Sequence, residues 1–301
     1  MPSPLSKLPA KFLERLVKIA PPGLMSEIHR GFCESRPTTF RVNRLKANAH
    51  GLIKELKQPG LICEPVKNFP DAFLLKKGSL KKLRESRPYE EGWIYLQSLS
   101  SQIPPMVLDP KPGERVLDLA AAPGGKTCQM AAMMQNRGEI VAVEPHPIRY
   151  EKLVYNLKKQ GVAIAEIVKI KGEQLPPLLC KEGLGEVERS NSLPHPASPY
   201  KGEEFRRFDR ILLDAPCSSE GTFCANDPRS FDHWSVELVE KMAARQKSLL
   251  RAAVACLKPG GHLVYSTCAL SGEENEEVIQ SILDGHPEMA IVDIPLKFPF
   301  L

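Results

Sequence analysis

Short apolar runs alternate with helical stretches over the last two-thirds of this chain, and that alternation leaves few folds open. VLDLAA (116–121) has the continuous apolar character of a strand buried on both faces. A helix over 126–136 follows, then EIVAVE (139–144), a helix over 147–159 and a third strand near 162–170. ILLDAP (211–216) gives a fourth strand and HLVYST (262–267) a fifth. Between these two, a long helix over about 235–257 stops at Lys258-Pro259-Gly260-Gly261, and a last helix covers 272–283. Alternation at these lengths predicts an α/β fold with a doubly wound, Rossmann-like parallel sheet.

The first 88 residues read differently. Phe12, Leu13, Leu16, Val17 and Ile19 form an apolar stripe at helical spacing, Pro21-Pro22-Gly23 breaks it, and a second helix is expected over 24–34. TTFRVNRLK alternates as a strand, a helix over 48–58 follows, and strand-like pieces lie around 61–66 and 72–75. This predicts a small α+β unit over 1–88 ahead of a larger domain over 89–301. Charge separates the two: residues 1–88 hold 18 Lys/Arg against 7 Asp/Glu, a net of +11, while the remainder carries −6. A basic unit beside a mildly acidic one suggests contact with a polyanion, although a solvated basic face accounts for charge alone equally well. Residues 180–204 are polar, rich in Pro, Gly and Ser and without a period, and read as a disordered insertion.

No stretch approaches the roughly 20 apolar residues of a membrane-spanning helix, and the N-terminus lacks the apolar core of a secretory signal, so a cytoplasmic protein without membrane contact is expected. The eight cysteines form no CxxC pair and no zinc-like cluster with histidine.

After the first strand comes Ala120-Ala121-Ala122-Pro123-Gly124-Gly125-Lys126-Thr127. A glycine pair between strand and helix allows close backbone approach to a ligand, with helix N–H groups directed at it. A phosphate-binding P-loop requires glycine six residues before Lys126, where Ala120 stands, and the dinucleotide pattern GxGxxG is absent. Glu144 ends the second strand, where a carboxylate can accept hydrogen bonds from ribose hydroxyls. The pairing points to adenosyl binding; an incidental glycine turn remains open on these features.

Three further motifs narrow the choice: Asp214-Ala215-Pro216-Cys217-Ser218, Tyr265-Ser266-Thr267-Cys268 and Glu273-Glu274-Asn275-Glu276. With LDLAAAPGGKT, RQKSLL and LKPGGHLVYSTC, they resemble the RsmB/Nop2/Sun family of S-adenosylmethionine-dependent RNA cytosine-C5 methyltransferases over roughly residues 90–283. RPTTFRVNRLK and EGWIYLQSLSSQIPP are similar to that family's N-terminal RNA-binding portion and its junction with the catalytic domain.

The resemblance implies a class I methyltransferase sheet preceded by an RNA-binding domain, acting as a monomer on RNA, with ribosomal RNA first and transfer RNA next. It makes Cys268 the covalent nucleophile and Cys217 the residue assisting product release. Asp214 is implied at the cytosine N3/N4 edge with Lys126 near the base. Ala120, Ala121, Ala122, Pro123, Gly124, Gly125, Lys126, Glu144 and Asp214 are implied to hold the S-adenosyl-L-methionine. Carbon 5 of cytosine is too weak a nucleophile to attack a sulfonium methyl unaided, and thiolate addition at carbon 6 makes it enamine-like. That requirement explains a thiol in the motif. DNA cytosine methyltransferases place theirs in the Pro-Cys motif of strand four, so the thiol in YSTC favours RNA. Cys128 and Cys256 read as structural thiols on helix faces.

The chain departs from the family pattern in two places. Lys171 stands where an Asp binding the adenine amino group is expected, with Glu173 as a substitute. A GFF-like closing strand is absent before Leu301, so a truncated copy with an exposed sheet edge is expected. An RNA-binding, catalytically impaired member is therefore the rival reading.

Overall fold

A computed structural model describes residues 4–57, 60–175 and 207–294. In chain order, helices α1 (Ala10–Ile19) and α2 (Met25–Cys33) precede β1 (Thr39–Val42), α3 (Ala49–Lys57), β2 (Ile62–Pro65) and β3 (Ala72–Lys77). Two short helices, α4 (Leu80–Arg84) and α5 (Arg87–Glu90), lead to β4 (Ile94–Leu96) and α6 (Leu99–Leu108). The alternating region comprises β5 (Arg115–Asp118), α7 (Gly125–Met133), β6 (Glu139–Val143), α8 (Pro147–Gln160) and β7 (Ala165–Val168). It continues with β8 (Phe208–Asp214), α9 (Val236–Cys256), β9 (Leu257–Ser266) and α10 (Glu276–Leu283). The expected insertion at 180–204 lies outside the described residues, as does the end of the chain from 295 on.

The strands form two sheets. The larger has the order β7-β6-β5-β8-β9, with β5 paired in parallel to β6 and to β8, and β6 in parallel to β7. Strand order reverses at β5, so the carboxyl ends of β5 and β8 flank the crevice where open α/β sheets hold ligands. Its strands are apolar because both faces are covered: Val116, Leu117, Ile140, Ala142 and Leu212 are fully buried. The doubly wound, Rossmann-like fold expected from the sequence is the fold observed.

The smaller sheet is antiparallel in its described pairs, with order β2-β3-β1-β4. Its fourth strand, Ile94–Leu96, lies beyond residue 88, so the sheet crosses the line that charge suggests. The reason is register: Phe40, Arg41 and Val42 pair with Leu96, Tyr95 and Ile94, and Ile94 completes the core of Phe40, Leu52 and Phe73.

By contacts the chain divides into two interleaved compact units. One comprises the described residues within 37–214, 252–265 and 293–294, and contains both sheets. The other comprises residues 1–36, 215–251 and 266–292. Its core is aromatic: Phe12 of α1 lies 4.8 Å from Phe223 and 5.7 Å from Trp234 between ring centroids, and Phe32 of α2 joins them edge-on. The apolar stripe of α1 is narrower than its sequence suggests; Phe12 and Leu16 are buried, whereas Val17 and Ile19 are exposed. Among the described residues no helix is long and apolar enough to cross a membrane.

Candidate active site

In the two-sheet unit the glycine loop is fixed by contacts from α8. Gly124 takes a φ of +104° as it opens α7, a conformation that disfavours any side chain. A Cβ there would stand 3.0 Å from Leu153 Cδ1, and one on Gly125 would stand 2.9 Å from Tyr95 Cε1. Asn156 Nδ2 donates to the Pro123 carbonyl at 2.8 Å. Arg149 Nη2 donates to the Ala122 carbonyl at 2.8 Å, and its Nε lies 3.3 Å from Oε2 of Glu144. One arginine thus joins the 120–126 loop to Glu144.

Glu144 is buried, and its Oε1 accepts from the His146 N–H at 2.9 Å. A carboxylate offers about four acceptor positions, and these contacts occupy two of them. Acceptor capacity remains for hydroxyl donors at the carboxyl end of β6. With the 120–126 loop joined to it through Arg149, this set of residues fits an adenosyl cofactor with ribose hydroxyls to satisfy. Lys171, the departure at the adenine side, stands exposed before the 3₁₀ turn Gly172–Gln174, its N–H bonded to Gln174 Oε1 at 3.3 Å.

Lys126 extends from the first turn of α7 to Asp214 at the end of β8, with Nζ 2.6 Å from Oδ2. The same ammonium donates to Ser101 Oγ at 3.0 Å. Asp118, at the end of β5, is buried and accepts from Thr127 Oγ1 at 2.7 Å; burial pushes its carboxyl up to about 6. Sequence reasoning missed Ser101, Asp118 and Arg149. Asp118 left a signal, a charged residue inside an apolar run, whereas the other two are joined to the loop only by the fold.

In the second unit the two motif cysteines meet. Cys217 Sγ and Cys268 Sγ are 3.1 Å apart, Cys268 exposed and Cys217 partly buried. The hydrogen bond to Cys268, and then burial, push the Cys217 thiol well up, so Cys217 keeps its proton. The backbone closes around the pair. The Ala215 N–H donates to the Ser266 carbonyl at 2.8 Å and the Gly221 N–H to the Cys268 carbonyl at 2.7 Å. A Cβ on Gly221 would sit 2.8 Å from that carbonyl oxygen. Cys128 and Cys256 are buried, and burial raises the Cys128 thiol to about 12.

Residues 105–299 match the family model described as 16S rRNA methyltransferase RsmB/F. The chain is 33% identical over 279 residues to ribosomal RNA small subunit methyltransferase F of Shewanella loihica, covering 90% of this chain and 52% of that protein. It therefore spans about half the length of that relative. It is 38% identical over 264 residues to the tRNA (cytosine(49)-C(5))-methyltransferase of Pyrococcus abyssi, covering 87% of this chain and 75% of the relative. Among solved structures, a methyltransferase homolog protein from Pyrococcus horikoshii superposes with a TM-score of 0.74 at 33% identity, covering 94% of this chain and 83% of that one.

Proposed function

The chain belongs to the 16S rRNA methyltransferase RsmB/F family, and from that premise we propose that it methylates carbon 5 of a cytosine in RNA, using S-adenosylmethionine and a covalent thiol adduct. The observation that carries the reading is the Cys217–Cys268 pair at 3.1 Å. Methylation of nitrogen or oxygen has no use for a thiol, whereas cytosine carbon 5 requires a nucleophile to prime it.

When bound, S-adenosylmethionine supplies a methyl group on a sulfonium sulfur. Glu144, the 120–126 loop and Asp214 hold that cofactor. The thiolate of Cys268 forms a bond to carbon 6 of the cytosine, and the carbon 5–carbon 6 π electrons become available at carbon 5. Asp214, ion-paired to Lys126, accepts from the N4 amino group, and the Lys126 ammonium beside it offsets the negative charge that builds at the N3 edge. Once carbon 5 is methylated, a base takes its proton, the carbon 5–carbon 6 double bond reforms, and the carbon–sulfur bond breaks with its electron pair returning to Cys268. Cys217, which retains its proton beside that sulfur, assists this release.

The cytosine must leave its stack to be reached. Residues 1–88, with their net charge of +11, grip phosphates without reading sequence. The match to the ribosomal family model supports ribosomal RNA as substrate, and the higher identity to the Pyrococcus relative supports transfer RNA as the second reading.

Labelled S-adenosylmethionine with undermethylated ribosomal RNA and with transfer RNA tests the proposal. Cys268→Ala is expected to abolish transfer, while Cys217→Ala accumulates a denaturation-resistant protein–RNA adduct. Transfer by Cys268→Ala at the wild-type rate overturns the thiol assignment. Calorimetric absence of cofactor binding, with RNA still bound, would leave an RNA-binding member without turnover.

A further inference from the structure

Two buried carboxylates in the thiol-bearing unit each reach from one cysteine loop to the other. Glu274 belongs to the segment after Cys268, and its Oε2 accepts from the Ser218 N–H, next to Cys217, at 2.9 Å. The same oxygen accepts from Gln246 Nε2 at 2.8 Å, and that amide also donates to the carbonyl of Pro216, on the other side of Cys217, at 2.9 Å. Glu220 belongs to the segment after Cys217 and reaches the opposite way. Its Oε2 accepts from the N–H groups of Leu270 and Ser271, both at 2.9 Å, just beyond Cys268. Its Oε1 accepts from Ser271 Oγ at 2.7 Å and from Trp234 Nε1 at 3.0 Å. Glu220, Glu274 and Gln246 are all at most 1% exposed.

Burying a carboxylate is costly, and each loop here holds the carboxylate that the other loop's N–H groups satisfy. Arg15 of α1 completes the arrangement, with Nη2 2.7 Å from both oxygens of Glu273, beside Glu274. We infer that Glu220 and Glu274 are reciprocal positioning residues that set the spacing of the Cys217–Cys268 pair.

The inference rests on the proposed thiol chemistry for its purpose, but it is tested on the sulfur pair itself. The pH profile of Cys268 alkylation by iodoacetamide, mapped by peptide mass spectrometry on the full chain, reads whether Cys217 still serves as its donor. Removing the donor in Cys217→Ala is expected to move the alkylation midpoint upward, because hydrogen bonding to a thiolate favours it. Glu274→Ala is expected to move it by a similar amount, and the Cys217→Ala/Glu274→Ala double variant no further.

Glu220→Gln is expected to shift the profile, because its amide nitrogen must then face a donor. Gln246→Ala, a milder lesion in the same brace, is expected to shift the midpoint part of the way and keeps the test open if Glu274→Ala does not fold. Wild-type profiles from folded Glu274→Ala and Gln246→Ala overturn the inference, and so does an additive double variant. An intact brace in a protein that transfers no methyl group would instead sink the functional reading alone.

Discussion

At the scale of single residues, the sequence points to candidate side chains for the chemistry more readily than to the side chains that hold them. Cys217, Cys268, Lys126, Asp214 and Glu144 each sit in a motif at the end of a predicted strand or the start of a helix, and their positions follow from topology. Asp118 was legible only as an oddity. Its carboxyl, ordinarily at 3.8, is raised to about 6 chiefly by burial, against the pull of Thr127 and Lys126. The folded chain therefore retains a proton that the unfolded chain releases, and this group's contribution to stability falls as pH rises from about 4 to 6, then stays flat. Asp118→Asn removes the penalty while keeping an oxygen for Thr127. It is expected to gain stability relative to wild type between pH 4.5 and pH 8, by up to ~3 kcal/mol from the size of the shift. Urea denaturation at the two pH values measures it; an unchanged difference would show that burial of Asp118 is compensated.

At the scale of elements, the parallel sheet was readable because its strands are apolar throughout and its helices end on recognisable stops. The elements between β3 and β5 were not: α4, α5, β4 and α6. β4 is three residues long, too short for a period, and its place in the small sheet comes from pairing with β1. α6 contains Pro104 and Pro105, which argue against a helix in sequence, yet both are buried within it. What starts α6 is a cap: Ser98 Oγ accepts from the Ser101 N–H at 3.2 Å. The same helix supplies the Ser101 hydroxyl that accepts from Lys126. Ser98→Ala is expected to cost about 1 kcal/mol of stability, read as a lower melting temperature. A melting temperature equal to wild type would mean that α6 is held by its packing alone.

At the scale of the whole molecule, charge and contacts divide the chain along different lines. Charge changes near residue 88, whereas the compact units draw on three segments each, and residues 1–36 fall with 215–251 and 266–292. No local pattern announces that grouping, because it depends on Phe12 and Phe32 meeting Phe223 and Trp234 from nearly two hundred residues away or more. The excess of positive charge belongs to residues on both sides of the division. It nevertheless has a measurable consequence if the partner is a polyanion. Neutralised phosphates release counterions, so the logarithm of affinity falls linearly with the logarithm of salt concentration. Lys77, Lys82 and Arg84 are exposed on β3 and α4 within the basic stretch. Their joint replacement by alanine is expected to weaken RNA binding across sequences. It should also reduce the magnitude of the salt slope by about 2 to 3, one phosphate contact per residue. Cofactor affinity should be unchanged, because none of the three belongs to the 120–126 loop or to Glu144. A slope equal to that of the wild type would place the phosphate contacts elsewhere on the chain and leave this face merely solvated.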